Sequence, residues 1–144
     1  MKATDLLTTQ HRELAALFDR IERADDPADR RRLLDQLTDA LEMHAELEEE
    51  VFYPAIRESG TPEAEVLVLE AIEAHHVVDL VLVEAPTIDP EDETFGAKMK
   101  VLRDLVARHV EQEERDMFPL ASRLTDDEAE SLGRRLEEQS AWVE

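Results

Sequence analysis

The sequence predicts an all-α protein: an up-down-up-down antiparallel four-helix bundle with a short fifth helix at the C-terminus. Three observations predict it. Gly and Pro are scarce, 3 and 6 in 144 residues, and they stand where helices need punctuation. The segments between them are rich in Leu, Ala, Glu and Arg and show poor strand alternation. Four of these segments are long and joined by short connections, which favours antiparallel neighbours. One domain covering residues 1–144 is expected at this length, with the bundle over about 3–123 and the last helix over about 126–141.

The elements follow in order. The first helix, 3–24, repeats apolar residues at Leu7, Leu14, Leu17, Phe18 and Ile21. Asp26 then offers a capping side chain and Pro27 suits the first helical position, opening a second helix over 27–58 with Leu33, Leu34, Leu37 and Leu41 on one stripe. Ser59 and Gly60 read as its end, and Thr61, Pro62 and Glu63 as the start of a third helix, 62–85. The run from Ala85 to Pro90 is the clearest linker. A fourth helix, 92–123, carries Leu102, Leu105 and Val106. Thr125 and Glu128 form a capping-box pattern before the fifth, 126–141, whose end Trp142 is expected to dock. The second and fourth helices would be ~45 Å long.

Charge narrows the function. Lys and Arg number 16 against 37 Asp and Glu, a net charge of −21. Such acidity opposes non-specific nucleic-acid binding and docking on anionic membranes. The surplus reads as a solvated surface or as adaptation to high salt. No apolar run approaches the ~18–20 residues of a spanning helix, and the first ten residues lack a signal-peptide core, so a soluble cytoplasmic protein is expected. Cys is absent. That excludes disulfides, thiolate zinc sites, iron–sulfur clusters and a Cys nucleophile.

The chain also repeats itself. His44 to Pro54 aligns with His109 to Pro119, matching Glu at +2, +4 and +5, an aromatic residue at +9 and Pro at +10. These two His are 65 residues apart, and His11 and His75 are 64 apart. Two helical hairpins result, each with one His on its first helix and His-x-x-x-Glu on its second, packed about a pseudo-two-fold axis.

Residues four apart are separated by about 40° around a helix. His44 with Glu48, and His109 with Glu113, therefore share a face. Glu46 and Glu111 point about 160° away, into solvent, and Glu49 and Glu114 sit about 140° off. The shared faces are apolar: Leu37, Leu41, Val51 and Phe52 flank His44, Leu102, Val106 and Met117 flank His109, and Leu7, Leu14 and Phe18 flank His11. Burying two carboxylates without counter-charge is costly, and no Lys or Arg lies on those stripes near the His layer. A cation must compensate, and two divalent ions do so better than one. Nitrogen and oxygen ligands without sulfur suit Fe, Mn or Zn, and carboxylates with imidazoles suit a di-iron site.

With one His on helix one, His-x-x-x-Glu on helix two, a His on helix three and His-x-x-x-Glu on helix four, the sequence resembles the hemerythrin-like, HHE cation-binding family over roughly residues 4–123. The stretches His44 to Pro54, Glu73 to His76 and His109 to Pro119 carry the likeness. The resemblance implies a non-haem centre of two Fe ions, oxo- or hydroxo-bridged, with Glu48 and Glu113 as bridges and His11, His44, His75 and His109 as terminal ligands. Oxygen-carrying hemerythrins place two His four apart on helix three. Here Asp79 follows His75 at +4 and Leu80 follows His76, which leaves coordination positions for water, peroxide or Asp79. The internal repeat aligns His75 with His11, setting Val78 against Leu14, so His75 is preferred as the helix-three ligand; His76 and Asp79 remain possible additional ligands.

Tyr53 and Phe118 are expected to pack at the bundle end, with shielding of the site as the alternative, and Met43, Met99 and Met117 to fill the core. The resulting expectation is a di-iron protein that binds or reacts with a small diatomic or peroxide ligand (O₂, NO or H₂O₂) in sensing, carriage or oxidant protection. Binding is expected before turnover, with peroxide decomposition or oxidase activity as side reactions. The alternatives are a metal storage or buffering protein without turnover, and a structural interaction bundle whose His form buried hydrogen-bond networks.

Overall fold

The computed structural model describes residues 1–143, with side chains through Ser140; the Trp142 side chain lies outside the described residues. Helix α1 spans Ala3–Arg23 and α2 spans Pro27–Leu47. The latter runs on through five residues of wider π-helix, Glu48–Phe52, into α3, Tyr53–Arg57. Helix α4, Pro62–Glu84, ends in a 3₁₀ turn at Ala85–Thr87. Helix α5, Glu93–Gln112, passes through a second π stretch, Glu113–Met117, into α6, Phe118–Ala121. Helix α7 is Asp126–Val143. The expected rods 27–58 and 92–123 are thus each built of three parts. No strand occurs among the described residues.

The expected punctuation operates at atomic level. Asp26 Oδ1 accepts the Ala28 N–H at 2.9 Å, and Thr61 Oγ1 accepts the Ala64 N–H at 3.1 Å. Asp92 Oδ1 accepts the Thr94 N–H at 2.8 Å, and Thr125 Oγ1 accepts the Glu128 N–H at 3.2 Å. Each such cap stabilises its helix by about 1 kcal/mol. Gly60, at φ 73°, takes the left-handed position that ends the second rod, where a Cβ would be strained.

The two π stretches have an identifiable cause. Pro54 and Pro119 lack an N–H, and their rings crowd the carbonyls four residues back, those of Glu50 and Arg115. A wider turn just before each Pro relieves the crowding. The Tyr53 N–H then reaches the Glu48 carbonyl and the Phe118 N–H reaches that of Glu113, both five residues back.

Helix α1 packs against α2 and α5, and α4 against α5 and α3, so the four rods close a ring. Helix α7 lies against α1 and α2 and contributes Leu132 and Leu136 to the core. Gly133 meets the Met1 carbonyl so closely that any Cβ would collide with it. The apolar interior is in two parts. One holds Leu7, Leu47, Phe52, Ile56, Val68 and Leu136, and the other Phe18, Leu34, Leu37, Leu82, Phe95 and Leu102. Met99 and Met117 are buried within them, and Met43 is half-buried. A layer of histidines and carboxylates lies between the two parts.

Candidate metal centre

Each rod delivers its polar residues to that layer by helical spacing. His11 comes from α1, His44 from α2 with Glu48 at the first π position, His75 from α4, and His109 from α5 with Glu113 opening the second π stretch. Glu48 is fully buried and Glu113 nearly so. His11, His44 and His75 are buried too, while His109 keeps a 10% exposed side chain.

The side chains converge. Glu48 Oε1 lies 3.3 Å from His44 Nε2, 3.1 Å from His75 Nε2 and 3.7 Å from His109 Nε2, and its Oε2 lies 3.9 Å from His11 Nε2. Glu113 Oε1 lies 3.3 Å from His11 Nε2, and its Oε2 3.3 Å from His109 Nε2. The Nε2 atoms of His75 and His109 are 3.2 Å apart. Two sets of atoms are close enough to share an ion: His11, His44, Glu48 and Glu113, and Glu48, His75 and His109. Glu48 belongs to both. His11 Nε2, His44 Nε2, Glu48 Oε2 and Glu113 Oε1 are buried without any hydrogen-bond partner. Unpartnered lone pairs in the interior are costly, and a cation among them satisfies all four at once.

The chain also fits the known. A family model described as Hemerythrin HHE cation binding domain matches residues 2–121. The chain belongs to this family. Three proteins resemble it. An uncharacterized protein of Mycobacterium tuberculosis strain H37Rv is 30% identical over 143 residues, covering 94% of this chain and 83% of its own length. A protein of Nostoc named DNA nickase is 29% identical over 119 residues, covering 82% of this chain; the matched part is only 33% of that protein. In the solved structures, a hemerythrin HHE cation-binding domain protein from Mycobacterium kansasii superposes with a TM-score of 0.88 over 99% of this chain and 87% of its own, at 24% identity, which bears on the fold.

The hemerythrin-like layer holds more than the +4 acids. His44 Nδ1 donates to Gln10 Oε1 at 2.7 Å, which aims Nε2 at the centre. His75 Nδ1 does the same to Glu49 Oε2 at 3.1 Å, and Glu114 Oε2 stands 3.6 Å from His11 Nδ1. Such partners fix the imidazole tautomer and raise its basicity. The +5 acids therefore miss the centre, as the 140° argument requires, yet Glu49 holds His75 on a neighbouring rod and Glu114 lies near His11 without bonding to it. Glu46 and Glu111 are exposed, as expected. His76 and Asp79 are exposed and stand in neither set of converging atoms.

Tyr53 is the residue that spacing misplaces. The sequence reading offers it bundle-end packing or shielding of the site but no polar contact, whereas its hydroxyl lies 2.7 Å from Glu113 Oε2 and 3.1 Å from Glu48 Oε1, with the Nε2 atoms of His75 and His109 at 3.4 and 3.5 Å. The π stretch explains it. Five residues of α-helix carry Tyr53 about 140° from Glu48, whereas a wider turn returns it to the same face. The repeated aromatic–Pro pair is the sequence signal for this. Phe118, its counterpart, stacks on the His11 ring at 5.9 Å between centroids, while Tyr53 stacks on His75 at 5.7 Å.

The electrostatics are mutual. Burial opposes charge on the imidazoles, but contact with Glu113 and Glu48 outweighs it and lifts His11 to about 9 and His109 to about 10. His75 is raised as well, against burial, chiefly by Glu48. Burial pushes the Glu48 carboxyl up, yet His44, followed by the other groups around it, holds it well below the usual carboxylate range. The Tyr53 phenol is pushed far up, first by burial and then by the two carboxylates, so it keeps its proton and donates. Tyr53→Phe removes that donor while leaving the converging residues in place. The expected result is an intact fold with metal affinity weakened ~10- to 100-fold, read by chelator competition.

Proposed function

We propose that this hemerythrin-like chain is a non-haem di-iron protein that binds or reacts with a small oxidant: O₂, NO or H₂O₂. The observation that carries the reading is the disposition of the two carboxylates. Glu113 turns one oxygen to His11 and the other to His109, and Glu48 lies within reach of all four imidazoles, so the acids span two His pairs as bridging ligands do. The donor set is nitrogen and oxygen, which suits iron, with manganese or zinc as the nearest substitutes.

Two ferrous ions, when bound, supply one electron each to an oxidant. The chain's own residues do the rest. Gln10 and Glu49 orient imidazoles, and the two apolar clusters limit water on either side of the layer. Tyr53 holds a proton 2.7 Å from Glu113. Beside His44, His75 and His109 lies a cavity of about 20 Å³, walled by Leu14, Val78 and Val106, room for one small molecule. A cleft of about 580 Å³ between α1 and α5, walled by Ala15, Phe18, Ala107 and Val110, reaches His11 from outside. No described helix is long and apolar enough to cross a membrane. DNA cleavage, raised by the Nostoc relative's name, is opposed by a net charge of −21.

Metal analysis with an optical spectrum, before and after reductant, tests the proposal. Two irons per chain, and near-ultraviolet bands that bleach on reduction and return with O₂ or peroxide, are expected. Freely exchanging metal with a spectrum indifferent to O₂, NO and peroxide would overturn it in favour of storage. Full stability and helicity with no metal bound under any condition would favour a structural bundle.

A further inference from the structure

Seven large hydrophobic side chains are exposed among the described residues, and five of them, Val66, Leu69, Val77, Leu80 and Val83, lie on α4. Scattered single exposures are ordinary; a row on one helix is not. Val83 is 73% exposed and Leu80 55%, on a helix whose opposite face already fills the bundle with Val68, Ala71, Val78 and Leu82. A helix apolar on both faces is one that is covered on both.

The row has a register. Val66, Leu69, Glu73, His76, Leu80 and Val83 follow one another at alternating intervals of three and four, the seam of a helix pair, over about 26 Å. Its order is palindromic in character: apolar, apolar, acid, imidazole, apolar, apolar. Laid antiparallel on a second α4 so that paired positions sum to 149, Val66 meets Val83, Leu69 meets Leu80, and Glu73 meets His76, each twice about a two-fold axis. Ile72 and Val77 flank the stripe, one on each side. Parallel pairing would instead set Glu73 on Glu73. Antiparallel pairing shifted by one heptad would set Glu73 against Leu69 or Val83. One arrangement alone matches apolar to apolar and carboxylate to imidazole.

We propose that the outer face of α4 is the interface of a homodimer, with the two α4 helices antiparallel and Glu73 of each copy bonded to His76 of the other. A second copy is the occupant because the stripe complements itself in charge as well as in apolar pattern. The isologous contact closes at two and buries the row that the monomer leaves in water. The acidic net charge opposes the association, so it tightens as salt rises.

Sedimentation velocity of the metal-loaded full chain tests the proposal. A dimer is expected, with Leu80→Glu giving a monomer. His76→Glu sets carboxylate on carboxylate at the axis and is expected to weaken dimerisation about 10-fold or more; adding Glu73→Lys to it restores the dimer. The chain lacks Cys, so introduced thiols report register. A mixture of Leu69→Cys and Leu80→Cys chains cross-links on oxidation, while neither variant cross-links to itself. A wild-type chain monomeric at every concentration, a dimer untouched by Leu80→Glu, self-linking of Leu69→Cys, or failure of the double variant to restore pairing would each overturn the proposal.

Discussion

Glu48→Ala is expected to abolish stable metal loading, whereas Glu46→Ala, two residues away on the same helix, leaves it intact. Glu48 touches every imidazole of the layer and is shared by both sets of atoms able to hold an ion. Removing it takes a ligand from each and leaves buried imidazoles without their acceptor. Glu46 is exposed. The same contrast is expected between Glu113→Ala and Glu111→Ala. Metal content after gel filtration reads the result, with at least ~100-fold weaker binding for the inner pair. Equal behaviour of inner and outer acids would defeat the assignment of faces on which the site rests.

The metal-free chain is expected to lose stability as pH rises through about 9 to 10, and the loaded chain to hold. His11 and His109 start near 6.5 when unfolded and reach about 9 and about 10 when folded. The folded state therefore binds their protons more tightly. The stabilisation is complete below about 6.5 and fades as pH climbs to the folded values. Glu48 acts oppositely: its contribution is present above its ordinary 4.5 and lost as pH falls toward its depressed value. In the loaded chain an ion supplies the positive charge, so the alkaline loss disappears. Metal uptake at pH 7 must then release protons from both imidazoles. Denaturation at pH 7 and pH 10, with calorimetry in buffers of different ionisation enthalpy, checks both statements. A metal-free chain equally stable at both pH values would refute them.

Two buried carboxylates with no Lys or Arg nearby called for a cation, and the side chains so named do converge. The surrounding imidazoles, once protonated, are cations themselves. Much else was legible: the caps at Asp26, Thr61 and Thr125, the two-hairpin repeat, and the convergence of His11, His44, Glu48, His75, His109 and Glu113. His75 over His76 followed from aligning α4 with α1, because one residue of error turns a helix by about 100°. What the pattern could not yield was any contact that depends on leaving the 3.6-residue period. Tyr53 reaches the layer only through a π turn induced by Pro54. Gln10 and Glu49 act across helices, where spacing within one helix says nothing.

Tyr53 and Phe118 hold equivalent places in the duplicated hairpins, and they differ by one oxygen atom. On one side of the layer a phenol stands among His75, His109 and both acids; on the other a plain hydrocarbon ring covers His11. Two like ions held here would occupy unlike seats. A nearly symmetric scaffold thus acquires a polarity between its two halves.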